Sequence, residues 1–304
     1  PYAHEVAAHV GSRHQDIVLN HTTLSDPAVR RTVVTARDLP GGAMGDMDAS
    51  LYLLFKGIRE HSTVALSGES ADEIFGGYNW FHDSEVQTTD NFPWLTFLQS
   101  RQPIQILDLF RTDLTAALDL PGYVRDRYAG AVAEVEPGDG ETEHERRMRV
   151  ICYLHLTRFV RMLLDRKDRM SMAVGLEVRV PFCDHRLVEY VYNTSWSLKT
   201  FDGLEKSLLR AATADMLPQS VLQRVKSPYP STQDPRYVVA LQQQAKELLS
   251  ASNESVFELV DRKWIENAVL QDPVTIPIGI RTSIEMALDL STWLNIYRPQ
   301  LRLP

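Results

Sequence analysis

The stretch "LSGESADEIFGGY", residues 66–78, follows directly on the apolar run Thr63-Val64-Ala65-Leu66. A short apolar run that stops at Ser-Gly reads as a buried strand ending in a tight turn, and Asp72-Glu73 just beyond it read as the opening of a helix. In open α/β sheets, ligands sit beyond the carboxyl ends of strands, where helix N-termini point at them. Ser67 and Gly68 offer a small hydroxyl and uncluttered backbone at that edge, and Glu69, Asp72 and Glu73 add three carboxylates within five positions. Hard oxygen donors of this kind suit Mg²⁺, which is held by one or two carboxylates together with substrate phosphates. Acidic residues are equally common in a first helical turn without any ligand, so the stretch alone leaves a site and a capped helix both open.

Outward from this stretch, the first 82 residues alternate. A helix over 2–11 has Tyr2, Val6 and Val10 on one face and Gly11 at its C-terminal cap. A strand "QDIVLN" (15–20), a helix from Asp26 to Ala36, a helix near 48–60 and a strand "STVAL" (62–66) complete the pattern, with a loop over "RDLPGGAMGDMD" punctuated by Pro40, Gly41, Gly42 and Gly45. Helices alternating with short apolar runs predict parallel strands joined by crossover helices. From about residue 91 onward the periods are helical only: 104–119, 123–134, 141–165, 185–193, 203–215, 235–250, 261–270 and 278–296. Glu141, Glu143 and Glu145 stand where the positive end of a helix dipole favours them. The division is therefore an α/β part over 1–82 and a helical part over 83–304.

Composition narrows the function. The 304 residues are 44% apolar and 24% charged, ordinary for a globular protein, and the net charge of −8 argues against a sequence-independent grip on nucleic acid. Cys152 and Cys183 both sit in apolar surroundings, which predicts two buried thiols in a reducing compartment rather than a disulfide framework. No apolar run approaches the roughly 20 residues that span a bilayer, and the expectation is a cytoplasmic protein without membrane partners. The nine histidines form no zinc spacing, and no G-x-S-x-G elbow, Walker A loop or G-x-G-x-x-G fingerprint occurs.

Two further clusters carry charge. In "LLDRKDRMSMAVGLEVRVPFCDHRLVEY" (163–190), Glu177 and Arg179 flank an apolar segment and are expected to be partly buried and paired, as part of a bracing salt-bridge network or of a site. In "GLEKSLLRAATADMLPQSVLQRVKSPYP" (203–230), Lys206 and Arg210 lie four apart on one helix, and Lys226 falls in the loop after a helix begun near Pro218. Three cations aimed one way would neutralise a leaving pyrophosphate; a solvated face is the plainer reading.

Together, in order and spacing, the three stretches resemble the synthetase domain of glutamine-hydrolysing asparagine synthetases, class II glutamine amidotransferases. The similarity runs from residue 1 to about 232, and the last 70 or so residues match only as helices. The resemblance implies an α/β fold of the pyrophosphate-loop ATPase, adenine nucleotide α-hydrolase-like type: a parallel sheet with flanking helices and a large helical extension. It implies that ATP adenylates the side-chain carboxylate of aspartate with release of pyrophosphate, and that ammonia from a glutaminase domain then yields asparagine and AMP. Ser67 and Gly68 would contact the AMP part, Asp72 would hold Mg²⁺, and Lys206 would face the pyrophosphate. Glu69 would help deprotonate the attacking nitrogen, and Lys226 would offset charge developing on the intermediate. β-Lactam synthetases resemble the same domain but place a tyrosine where this chain has Glu69, which favours intermolecular amidation over ring closure. Two alternatives stay open: a related amidotransferase or cyclase, β-lactam synthetase-like, acting on another carboxylic acid in natural-product biosynthesis, and a catalytically inactive scaffold member of the family. A homodimer is one assembly that the resemblance allows. The S-G-G-x-D-S-S loop that such domains carry after their first strand does not occur in this sequence, nor does a glutaminase domain with its cysteine nucleophile. A chain that opens at Pro1 on a helix is thus expected to be part of a longer protein lacking here its first strand and loop.

Overall fold

The computed structural model describes residues 2–39, 46–101, 106–227, 229, 231–251 and 254–303. Pro40, Gly41, Gly42 and Gly45 of the expected loop, residues 104 and 105 of the expected helix 104–119, and Pro228 and Pro230 of the third cluster lie outside them.

The protein is a mostly helical α/β structure. Among the described residues, one sheet forms, from β1 (Val64–Leu66) and β2 (Glu177–Arg179), paired in parallel with Val64 opposite Glu177 and Leu66 opposite Arg179. The ladder runs on past β1, since the Ser67 amide donates to the Arg179 carbonyl at 2.9 Å. Ala65 and Val178 pack inward against Val33, Leu51, Phe55, Met170 and Leu176. That core lies under the sheet, between the helices Pro27–Arg37, Met47–Arg59 and Val160–Met172. Side chains alternate across a strand, so Val64 and Leu66 point the other way. Leu66 is 75% exposed, and the expectation of a buried strand is corrected: only one face of the sheet is covered by described residues.

Two strand assignments change. Residues 12–20 form no ladder; Ile17 packs on Gly57, where an added Cβ would come within 2.8 Å of it, while Val18 is exposed. With no strand beside it among the described residues, the apolar alternation of "QDIVLN" has nothing there to pair with. In the opposite direction, β2 forms inside a half read as wholly helical. Three residues with Glu177 and Arg179 at the ends carry too little apolar periodicity to stand out. Those two side chains pair at 2.8 Å, yet both are exposed rather than partly buried, because they share the uncovered face.

Most helices lie where the periods put them: Leu120–Ala133, His185–Tyr192, Pro235–Ser250, Arg262–Ala268 and Ile278–Tyr297. The period over 104–119 resolves instead into a 3₁₀ turn, Ile106–Leu109, and a short helix, Thr112–Ala117. The first helix, Tyr2–His9, buries Ala7, whereas Tyr2 and Val10 are exposed, so its buried face is not the Tyr2-Val6-Val10 stripe. Gly11 caps it as expected, at φ 67°, with Ser12 N donating to the Ala7 carbonyl and Gly11 N to Ala8.

The period over 141–165 falls on the first part of a rod that runs on to Met172. A helix begins at Glu143, where the Thr142 hydroxyl accepts from Glu145 N, and runs to Leu154. Glu141 lies outside the helix and pairs with Arg149. A π-helical turn, His155–Phe159, then joins it to Val160–Met172. The extra residue of the π turn coincides with an aromatic cluster: His155 is surrounded by Trp80, Phe81, Trp94 and Phe159. His155 is fully buried. Its Nδ1–H donates to the Ile151 carbonyl at 2.7 Å, and its Nε2 accepts the Trp80 indole N–H at 2.8 Å, so both nitrogens are satisfied only in the neutral ring.

Burial pushes the His155 pKa down to about 4. An unfolded histidine titrates near 6.5, so on acidification the unfolded chain binds the proton first and the folded state loses ground. Stability is expected to fall by an amount on the order of 3 kcal/mol between about pH 6.5 and 4 from this group alone. Urea unfolding of the chain and of His155→Gln across that range checks it: the variant is less stable at neutral pH but shows the shallower acid slope, and equal slopes refute the assignment.

Candidate active site

The two strands end side by side, and their loops meet at the carboxyl edge. After β1 the chain passes Ser67 and Gly68 to Ser70, a buried residue held at φ 76°, and enters the helix Ala71–Phe75. After β2 it turns through Pro181–Cys183, and the Ser70 hydroxyl lies 2.8 Å from the Cys183 sulfur. Cys183 is thus half-buried and bonded at this edge, while Cys152 is the thiol enclosed in the core. A non-glycine residue at positive φ costs on the order of 1–3 kcal/mol and persists only where its surroundings fix it. Here it aims the first turn of the helix at the edge.

Asp72 occupies that turn without capping it. Its Oδ1 accepts from Lys206 Nζ at 2.7 Å and its Oδ2 from Lys226 Nζ at 2.6 Å. Desolvation raises the Asp72 pKa, but the two ammonium groups outweigh it and hold the carboxyl below its usual range. Gly77 closes over the pair, its amide donating to the Asp72 carbonyl at 2.7 Å. Before it, Gly76 at φ 68° ends the helix over the Trp196 ring, and His82 Nε2 donates to its carbonyl at 3.0 Å.

The lysines arrive from different directions. Lys206 stands at φ 58° just ahead of the helix Ser207–Ala212, not within it. Arg210, four residues on, turns away: it pairs with Glu205 at 2.7 Å and donates to the carbonyls of Leu222 and Arg224. Glu205 in turn accepts from Lys226 N at 2.7 Å. The reading of three cations aimed one way is therefore corrected: Lys206 and Lys226 converge, and Arg210 braces the loop that delivers Lys226. The ammonium of Lys226 also lies 5.4 Å from the centroid of the Tyr78 ring. A cavity of about 290 Å³ opens between Lys206, Arg210, Arg224 and Lys226.

Ser67 and Glu69 form the second half of the site, joined by a residue that the sequence did not single out. Lys167 Nζ lies 2.6 Å from Glu69 Oε2 and 3.0 Å from Ser67 Oγ, while Glu69 N donates to Ser67 Oγ at 3.2 Å. Lys167 projects from Val160–Met172, about 100 residues away in sequence, and it stands amid "DRKDR", where five charges in a row hide which one faces the sheet. Gly68 carries no nearby atoms at its Cβ position, so the backbone there is open to an approaching group.

Glu73 is the remaining carboxylate. It is buried and accepts the Tyr78 hydroxyl, and burial raises its pKa to about 7. The site therefore presents Lys167, Lys206 and Lys226 against Glu69 and Asp72, with Glu73 poised near neutrality. An excess of positive charge at partly buried ammonium groups fits an anionic ligand.

The model of the asparagine synthase family matches residues 1–294. The chain belongs to the asparagine synthase family. It is 40% identical to asparagine synthetase [glutamine-hydrolyzing] 3 of Bacillus subtilis (strain 168) over 266 residues, 88% of this chain and 42% of that protein. Asparagine synthetase [glutamine-hydrolyzing] 1 of the same organism is 28% identical over 59% of the chain, and the Gallus gallus asparagine synthetase 26% over 75%. The chain spans less than half the length of these relatives: 42%, 32% and 31%. No helix among the described residues is long and apolar enough to cross a membrane.

The fit of Gly77 over Asp72 is open to direct test. A Cβ added there would lie 2.0 Å from Asp72 Oδ1 and 2.8 Å from its Cα, so Gly77→Ala must displace the carboxylate or the turn. The expected loss is about 1–3 kcal/mol in urea unfolding. An unchanged midpoint contradicts the packing described.

Proposed function

We propose that the chain is the synthetase portion of an ATP-dependent amide-forming ligase, of the asparagine synthetase (glutamine-hydrolysing) type. The observation that carries the reading is the meeting of Lys206 and Lys226, from two separate segments, on the one carboxylate of Asp72, beside Ser67 and Glu69. The proposed chemistry is adenylation of the aspartate side-chain carboxylate, loss of pyrophosphate, and attack by ammonia derived from glutamine. The pyrophosphate-loop ATPase fold is part of the same proposal, as is a cytoplasmic location. Residues 1–82 then supply the nucleotide-binding part and residues 83–304 its helical extension, with β2 borrowed from the second half.

Each residue has a task in this scheme. Ser67 and the open backbone of Gly68 lie against the AMP portion, where lack of side-chain bulk lets the phosphate come close. Lys206 and Lys226 move from Asp72 to phosphate oxygens as these arrive, so positive charge stands ready where negative charge accumulates. Asp72 keeps the two ammonium groups from repelling each other before the substrate binds. Each of its oxygens retains a second lone pair, so the donor set fits a Mg²⁺ ion held by one carboxylate and substrate phosphates. When bound, that ion would draw charge off the pyrophosphate oxygens. Glu69, oriented by Lys167, takes a proton from the nitrogen that attacks the acyl-adenylate. Lys226 then serves a second time, against the oxyanion of the tetrahedral intermediate.

The test is pyrophosphate release with ATP and aspartate, measured in the protein that carries this chain. Absence of release with aspartate and with a panel of other carboxylic acids overturns the enzymatic reading, and release with another acid alone moves the acceptor. Glu69→Gln is expected to lower the rate of amide formation by about 10²–10⁴-fold while adenylation, followed as pyrophosphate–ATP exchange, changes much less. Lys226→Ala should lower both steps, by about 10²–10³-fold. Equal loss of both steps in Glu69→Gln contradicts the role given to it.

A further inference from the structure

Three metal-type donors converge at a place unrelated to Asp72. The chain turns at the Gly11 cap after the first helix, and the residues that follow, which form no helix or strand, return to its start. His14 and Asp16 thereby come to face His4. His4 Nε2 lies 3.1 Å from Asp16 Oδ2, His14 Nε2 lies 3.0 Å from Asp16 Oδ1, and the two imidazole centroids are 4.6 Å apart. One ligand atom from each residue lies within 4.8 Å of the others.

Both histidines thus present the same ring nitrogen to one carboxylate. We propose that His4, His14 and Asp16 form a binding site for a divalent cation of the zinc class. Two imidazole nitrogens and one carboxylate oxygen are a borderline donor set, favourable to Zn²⁺ and poor for Mg²⁺ or Ca²⁺, which take oxygen ligands. In place of two separate N–H···O contacts, one cation accepts the lone pairs of both Nε2 atoms and of a carboxylate oxygen. Each ring keeps its single proton by carrying it on Nδ1, so neutral imidazoles become ligands without oxidation or loss of a proton. Small shifts of exposed side chains suffice to bring the donors to roughly 2.0–2.2 Å from the metal. All three residues are exposed, and with three protein ligands a fourth position is left for water or an exchangeable ligand.

The site lies on an element that borders the loop carrying Lys226. Glu5 of the same helix accepts from Ser220 Oγ at 2.6 Å, and the Arg224 guanidinium lies 4.9 Å from the Tyr2 ring. A cation there ties the start of the helix to the segment after its cap and stiffens the surface against which residues 220–224 pack. The proposal does not depend on the function assigned to Asp72 and its lysines.

Zinc chloride titrated by calorimetry into the metal-stripped protein that carries this chain tests it. The expected result is one Zn²⁺ per chain whose affinity falls about tenfold or more in each of His4→Ala, His14→Ala and Asp16→Asn, and is unchanged in His9→Ala. X-ray absorption should then show two imidazole ligands at roughly 2.0 Å. Since the three side chains are exposed, circular dichroism of the variants should match the parent. Failure of stoichiometric uptake overturns the proposal, and so does wild-type affinity in the His4→Ala, His14→Ala double variant, which would leave only a hydrogen-bonded surface cluster.

Discussion

The arrangement of the site depends on one partly buried carboxylate. Asp72 is drawn from water by the turn around it, and a carboxylate in that position is costly unless cations meet it. Two do, one on each oxygen, and because Lys206 and Lys226 are twenty residues apart, satisfying Asp72 fixes where two further segments lie. Exposed ion pairs are worth little, since solvent screens them and side-chain entropy opposes them. This group differs in being partly desolvated and shared three ways, so removing any one member leaves the others with uncompensated charge. The Glu205–Arg210 pair repeats the device one layer back, holding the backbone of Lys226 rather than its ammonium.

Such a cluster needs a rigid frame, and the frame comes from elements remote from it in sequence. Lys167 reaches Glu69 from the rod Glu143 to Met172, whose π turn is pinned by the His155 aromatic cluster. The far end of the Lys226 loop is held by a second buried polar group. Ser231 and Thr232 both donate to Asp46, and Arg281 donates to the Thr232 carbonyl while lying 3.6 Å from Asp46. Glu285 stands beside Arg281 in the helix Ile278–Tyr297, and burial raises its pKa to about 8. Arg30 of Pro27–Arg37 pairs with Asp289 of the same long helix, which locks the first and last thirds of the chain together. The apolar core that includes Leu241, Ile265, Ile284 and Leu288 packs along the same long helix.

How much of this is legible in the sequence follows from the range of each interaction. The helices Pro27–Arg37, Pro235–Ser250 and Ile278–Tyr297 can be read because their apolar period repeats over three or more turns. β1 and the helix after it can be read because an apolar run stops at Ser-Gly. β2 cannot, since a three-residue strand with charged ends has no period, and only its partner, more than a hundred residues away, makes it a strand. The same limit applies to the site. Asp72, Lys206, Lys226, Ser67 and Glu69 stand out when three stretches are taken together, whereas Lys167 is one of five consecutive charges and is chosen by the packing of the rod. The opposite orientations of Lys206 and Arg210 are also set beyond the sequence period, because Lys206 leaves the helical conformation at positive φ.

That last detail connects stability with the proposed function. Five described residues other than glycine hold positive φ, and two of them, Ser70 and Lys206, flank Asp72. Each costs on the order of 1–3 kcal/mol of backbone strain, which the chain bears to place a carboxylate and an ammonium at bonding distance before any ligand arrives. The three ammonium groups of the site are partly dehydrated on folding rather than on binding. Under the function proposed here, a polyphosphate entering the cavity beside them exchanges one anionic partner for another and need not strip the lysines of a full hydration shell. Less reorganisation is then left to the moment of reaction, which is where preorganised charge lowers a barrier most effectively. The paired state of Asp72 is in this sense a placeholder: it keeps the lysines in position with a ligand weak enough, at one negative charge, to be displaced by one carrying several.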